Sequence, residues 1–158
     1  PPRPRSLEGD LLADMAAEAD LVVDASDNFA TRYTVNAACL RAGVDLVSGA
    51  VIRAEGQVMV LPFGRDPRAP CYRCTYREPP ASDTAERCAV TGVLGPAAGL
   101  VGSIMAAEAV KLLAGCGSAL AGRLLLADAM TMDFRQIALS RDPQCPACSD
   151  SPSDSTGA

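Results

Sequence analysis

Two Cys-x-x-Cys pairs, "CYRC" at Cys71 and Cys74 and "CPAC" at Cys145 and Cys148, stand roughly seventy residues apart in a chain of 158. No other feature limits the fold as much, because four sulfurs sharing one ion would force the middle of the chain to meet its C-terminal end. Four thiolates are the complete tetrahedral set for zinc, and a site saturated by protein sulfur has no open position for water, so such a zinc is structural. The separation is far longer than in a zinc ribbon, so the ion would pin a loop against the end of the chain instead of organising a small finger. The redox alternative, one or two reducible disulfides, stays open from spacing alone. It would favour a Cys-x-x-Cys at the start of a helix after a strand, whereas Cys71 follows a loop and Cys145 follows a strand.

Composition narrows the class. Hydrophobic residues make up 49% and tryptophan is absent, so the core is expected to be aliphatic. A net charge of −5 and the lack of a Lys/Arg cluster argue against a nucleic-acid partner. The most apolar run, Val93 to Ala114, carries Glu108 and Lys111 and several glycines, and reads as a buried helix and not as a membrane span. "PPRPRSLEGD" lacks the apolar segment of a secretory signal, and the odd count of seven cysteines with two Cys-x-x-Cys pairs suits metal or redox chemistry more than structural disulfides. A cytoplasmic protein with no membrane partner is the expectation.

The periodicities predict an α/β chain. "LLADMAAEA" suits a short helix and "DLVVDA" a buried strand. Ser26, Asp27 and Asn28 are all N-cap types, Phe29, Tyr33, Asn36 and Leu40 fall at helical spacing, and Gly43 stops the run. "VDLVSGAV" follows as a second strand, parallel to the first because a helix intervenes. The short link "IRAEG" then predicts a hairpin into "GQVMVLP", where the sheet turns antiparallel. Residues 62 to 92, with five prolines, read as a long functional or tethered loop. "PAAGLVGSIMAAEAVKLLAG" gives a long helix with Pro96 in its first turn, and "GRLLLADAM" and "MDFRQIALSRD" give two more strands. One domain over residues 1–148 is expected, with 149–158 as a disordered tail.

"DLVVDASDN" ends a strand on acids, at the place where open α/β sheets bind ligands. Asp27 can hold a magnesium ion on a nucleotide's phosphates; equally, Ser26 or Asp27 can cap the helix that follows. Arg53 in "AVIRAEG" and Arg87 beside Cys88 are weaker candidates, since exposed arginines are usually solvated surface. Cys39 and Cys116 read as buried or incidental thiols.

Taken in order, "DLVVDASDNFATRYTVNAACLRAGVDLVSGAVIRAEGQV", "CYRC", "RCAVTGVLGPAAGLVGSIMAAEAVKLLAG" and "LLLADAMTMDFRQIALSRDPQCPAC" closely resemble the latter part of the MoeB/ThiF family, relatives of the ubiquitin-activating enzymes. The resemblance runs over about residues 18 to 148. It implies a mixed-sheet, ThiF-type Rossmann-like fold, a homodimer and a zinc on Cys71, Cys74, Cys145 and Cys148. It also implies Mg-ATP as cosubstrate and adenylation of the C-terminal glycine of a ubiquitin-like sulfur-carrier protein, as in molybdopterin, thiamine or tRNA-thiolation pathways. By match to the D-x-x-D-N motif, Asp27 contacts metal and nucleotide with Asn28 beside it, and Cys88 corresponds to a cysteine that in some members attacks the adenylate or takes part in sulfur transfer.

The chemistry suits a chain without histidine. A carboxylate is already an ionised nucleophile, so attack on the α-phosphate of ATP needs positioning and charge stabilisation but no general base. The chain departs from the family before Asp20, where no G-x-G-x-x-G turn follows a strand to cradle phosphates. The resemblance therefore implies a fold incomplete on its N-terminal side, weak ATP binding by this chain alone, and, as an alternative function, a non-catalytic zinc-stabilised module that binds a carrier or a family partner.

Overall fold

The structure, a computed structural model, describes residues 10–78 and 92–149. Helix α1 (Asp10–Ala17) leads to strand β1 (Val22–Asp24), helix α2 (Phe29–Ala42), strand β2 (Leu46–Ile52) and strand β3 (Glu55–Leu61). A single helical turn, α3 (Tyr72–Thr75), precedes the long helix α4 (Gly95–Ala114), and strands β4 (Arg123–Asp128) and β5 (Asp133–Ala138) complete the chain. The five strands form one sheet in the order β1-β2-β3-β4-β5.

The sheet is mixed, as the periodicities predict. β1 and β2 pair in parallel, with Val22 opposite Leu46, and every later pairing is antiparallel. The parallel step requires a crossover, and α2 supplies it with two well-formed ends. Asn28 caps the N-terminus by accepting a hydrogen bond from the Thr31 N–H at 2.8 Å, and Gly43 closes the C-terminus in the left-handed region, φ 64°. The cap is thus Asn28; neither Ser26 nor Asp27 serves, because the helix begins one residue later than a cap at Asp27 would require. The hairpin from β2 to β3 turns on Arg53 and Ala54, with Arg53 at φ 54°, and the Arg53 backbone exchanges hydrogen bonds with Gly92 and Leu94.

Alternation along the strands sends side chains into two cores. One face of the sheet carries Leu46, Met59, Leu61 and Leu124 against α1, α2 and the cysteine pairs. The other carries Val47, Val58, Val60 and Leu125 against α4. α4 lies close to the sheet at two glycines, where an added Cβ would meet Met105 Sδ at 2.1 Å (Gly49) or Val101 Cγ2 at 2.3 Å (Gly56).

The reading of Val93 to Ala114 as a buried helix needs correction. Only the stripe Ala97, Val101, Met105, Glu108 and Leu112 is buried, while Val110 and Leu113 are each 60% exposed. The helix is apolar around most of its girth, but the described residues cover one side only. Its length and apolar composition also suit a membrane span, yet its buried stripe packs on the sheet. Its two charges are structural: Glu108 accepts the Leu120 N–H at 2.8 Å and pairs with Lys111, which donates to the Ser118 carbonyl, so both fasten the link to β4.

Candidate functional site

The Cys-x-x-Cys pairs meet. Cys71 Sγ lies 3.6 Å from Cys145 Sγ and 4.0 Å from Cys74 Sγ, Cys74 Sγ lies 3.3 Å from Cys148 Sγ, and all four sulfurs fall within 4.8 Å of one another. A tetrahedron with metal–sulfur bonds of about 2.3 Å has edges of about 3.8 Å, so the set has the size a zinc ion needs. The four are free thiols in the structure, at separations far beyond a sulfur–sulfur bond.

Local chemistry supports the donor set. α3 brings Cys71 and Cys74 to one side of a single turn, and the backbone N–H groups of Cys71 and Asp142 donate to Cys74 Sγ, each at 3.4 Å. Such N–H···S contacts disperse thiolate charge. Without an ion the cluster resists ionisation: burial and the neighbouring Cys74 push Cys71 up to about 11, and burial raises Cys148 further. Cys145 is the exception. Burial raises it too, but N–H donation from Ala147 and Cys148 outweighs that and holds it below the ordinary value. A divalent ion reverses the balance by binding thiolates outright.

A second arrangement lies at the carboxyl end of β1. A cavity of about 430 Å³ has Asp27, Asn28 and Arg32 on one wall and Gln57 and Tyr76 on another. Asp27 is exposed, and its Oδ1 accepts a hydrogen bond from Asn28 Nδ2 at 3.2 Å. A smaller neighbouring space of about 240 Å³, toward α4, shares Asp27 and Arg32 and is closed below by Gly49 and Met105. An exposed carboxylate on the wall of an apolar-floored cavity can receive a ligand that carries a divalent ion.

α2 joins the two arrangements. Asn36 Oδ1 accepts the Tyr72 N–H at 2.8 Å inside the cysteine knuckle, and Tyr33 donates its hydroxyl to the Tyr76 carbonyl at 2.9 Å. Tyr76, two residues past Cys74, donates its hydroxyl to Gln57 Oε1 at 2.6 Å and forms part of the cavity wall. Burial raises the pKa of Tyr72 and of Tyr76, and the Arg32 guanidinium opposes the rise in both.

Asp27 and Asn28 therefore line the cavity, and Cys71, Cys74, Cys145 and Cys148 cluster, while Cys88 and Arg87 lie outside the described residues. Cys39 is fully buried in the core that also holds the cysteine pairs, and Cys116 is exposed; neither joins the four-sulfur cluster or lines the cavity. Sequence reasoning passed over Arg32, Gln57 and Tyr76. A signal existed for Arg32: it falls on the buried face of α2 with Val35, Asn36 and Cys39, where a charge needs a reason.

Comparison with known proteins agrees with this architecture. The chain is 50% identical over 135 residues to the sulfur carrier protein adenylyltransferase of Thermus thermophilus, covering 84% of this chain and 50% of that protein. It is 48% identical over 142 residues to the SAMP-activating enzyme E1 of Haloferax volcanii, covering 90% and 51%. With the molybdopterin-synthase adenylyltransferase of Escherichia coli it shares 46% over 137 residues, covering 87% and 53%. The chain thus spans about half the length of these curated relatives. Among solved structures, that of Escherichia coli MccB matches 84% of this chain and 40% of its own at a TM-score of 0.67 and 15% identity, a likeness of fold. The ThiF family model matches residues 2–147, nearly the whole described length, and the chain belongs to the ThiF family.

Proposed function

We propose that this chain contributes to the ATP-dependent adenylation of the C-terminal glycine of a ubiquitin-like sulfur-carrier protein. The observation that carries the proposal is the cavity at the end of β1, where Asp27 and Asn28 face Gln57 and Tyr76 across an apolar floor. The names of three relatives, adenylyltransferases or activating enzymes, support the reaction class.

In this reading Asp27 holds the magnesium ion of Mg-ATP, and Asn28 sits beside the nucleotide while capping α2. Magnesium, when bound, neutralises phosphate charge. The glycine carboxylate attacks the α-phosphorus, an oxygen–phosphorus bond forms, the bond to pyrophosphate breaks, and no proton has to be removed. That balance suits a site with no histidine in the chain. Cys88 then displaces AMP as a thiolate, its sulfur–carbon bond replacing the carbonyl's bond to AMP. Zinc on Cys71, Cys74, Cys145 and Cys148 is structural, since four thiolates leave it no open position. The uncharged outer side of α4, with Val110 and Leu113, supports a homodimer.

The test is carrier-dependent exchange of labelled pyrophosphate into ATP on the intact protein. Asp27→Asn is expected to lower exchange by at least about a hundredfold, as for loss of a group that holds transition-state charge. Exchange that survives Asp27→Asn refutes the assignment of Asp27.

A second reading is a non-catalytic zinc-stabilised module that docks a carrier or a family partner. It is favoured by the four-cysteine cluster, a structural site that would stabilise a docking surface whether or not the cavity turns over a substrate. Carrier binding without exchange under any pairing would select it.

A further inference from the structure

Arg32 is only 8% exposed, and among the described residues no carboxylate forms an ion pair with it. Burying a guanidinium without a counter-charge costs several kcal/mol, so the fold alone would favour an apolar residue there. The hydrogen bonds of Arg32 go to one peptide carbonyl, while its charge also bears on the Tyr72 hydroxyl. Its Nε and Nη2 both donate to Ser26 O, at 3.2 and 2.5 Å, and its guanidinium stands 5.8 Å from the Phe29 ring centre. Ser26 is the residue before Asp27, and its own N–H donates to Asp24 Oδ1 at 2.9 Å.

The turn between β1 and α2 is thus gripped at three successive points: Asp24 on the Ser26 N–H, Arg32 on the Ser26 carbonyl, and Asn28 on the Thr31 N–H. Asp27 lies between the second and third grips, with its carboxylate exposed toward the cavity. The peptide that joins Ser26 to Asp27 is the one whose oxygen Arg32 fixes, so rotation of that peptide, which would swing the Asp27 side chain, has to break a two-pronged charged hydrogen bond.

We propose that Arg32 is a positioning residue for the adenylation reaction, holding the Ser26–Asp27 peptide so that the Asp27 carboxylate faces the cavity. The inference rests on the proposed role of Asp27. Arg32 is assigned no contact with substrate. Its contribution is geometric, and displacement of a metal-binding carboxylate by about 1 Å costs on the order of a hundredfold in rate.

Arg32→Met and Arg32→Lys separate geometry from charge, since lysine keeps the charge and loses the planar fork. On the intact protein, adenylation kcat is expected to fall about a hundredfold for Arg32→Met and about tenfold for Arg32→Lys, with the KM for Mg-ATP changed less than about threefold in both. The melting temperature is expected to shift by no more than a few degrees, because an uncompensated buried charge has been removed or left in kind. Parental kcat in Arg32→Lys overturns the proposal. So does a raised KM at constant kcat, which would mark a direct ligand contact. A readout independent of catalysis separates failure here from failure of the proposed function: amide hydrogen exchange at Ser26 and Thr31 is expected to rise about tenfold in Arg32→Met, with the Leu120 and Asp142 amides, held by Glu108 and Cys74, unchanged. Unaltered exchange at Ser26 overturns the inference even if the parent shows no adenylation at all.

Discussion

Cys39 and Cys116 are both single thiols, and their surroundings give them opposite chemistry. Cys39 is fully buried on α2, and burial, aided by the charge of Asp24, pushes its pKa up to about 12 from 9.0. It stays protonated and inert at neutral pH. Cys116 is exposed just past the left-handed Gly115 cap of α4. Iodoacetamide at pH 8 is therefore expected to label Cys116 in the native protein and Cys39 only after unfolding, read by peptide mass spectrometry. Because the folded-state pKa of Cys39 is the raised one, its protonated form stabilises the fold below the ordinary thiol value, and that contribution is lost as pH rises from 9.0 toward about 12. The acidic turn allows a second test at this scale. Asn28, not Asp27, accepts the cap bond from Thr31, so Asn28→Ala is expected to cost about 1 kcal/mol in urea unfolding and Asp27→Ala close to nothing. Equal losses would mean that the helix end is held in some other way.

Elements that announce themselves through local pattern were legible before the structure. α2 follows from an N-cap cluster, a helical spacing and a stop glycine; the β2–β3 hairpin follows from a short link; α4 follows from Gly95-Pro96 and Gly115. What local pattern does not encode is which face meets which neighbour. The pairing of β3 with β4 spans the whole knuckle and α4, and nothing within either strand marks the other as its partner. The buried stripe of α4 was equally hidden, because a helix apolar on nearly every side has no favoured face until a sheet selects one. The sheet selects through its glycines. Gly56 lies under Val101, whose branched side chain has little rotamer freedom in a helix, and an added Cβ would meet its Cγ2 at 2.3 Å. Gly56→Ala is expected to destabilise the chain by about 1–3 kcal/mol through overpacking. Combining it with Val101→Ala should recover part of that loss, and a double-mutant cycle by urea denaturation measures the coupling. Strict additivity would show that α4 tilts away from β3 to make room.

At the scale of the whole molecule, the link between the cysteine pairs decides how the chain holds together. Cys71 and Cys74 are tied to α2 through Tyr72 and Asn36, while Cys145 and Cys148 follow β5, so an ion between them staples the first half of the sheet to its last strand. The two pairs were visible in the sequence because sulfur ligands come in a recognisable spacing; their meeting place was not, since it depends on the entire intervening fold. Arg77 adds a weak second tie, with an Asp142 contact at 3.4 Å that solvent screens. A cross-link closing a loop of this length contributes about 4 kcal/mol in the chain-entropy model, which for a chain of this size is on the order of ten degrees in melting temperature. Zinc is the proposed ion, so metal analysis should return one zinc per chain, and a strong chelator should lower the melting temperature by about that amount. Cys145→Ser should reproduce most of the loss, and adding Cys71→Ser to it should cost little more, because once the staple is broken at one end the other end holds nothing. Two independent, additive losses, or a chelator without effect on a chain that returns no metal, would mean that the four sulfurs pack as thiols and that the sheet is held by its cores alone.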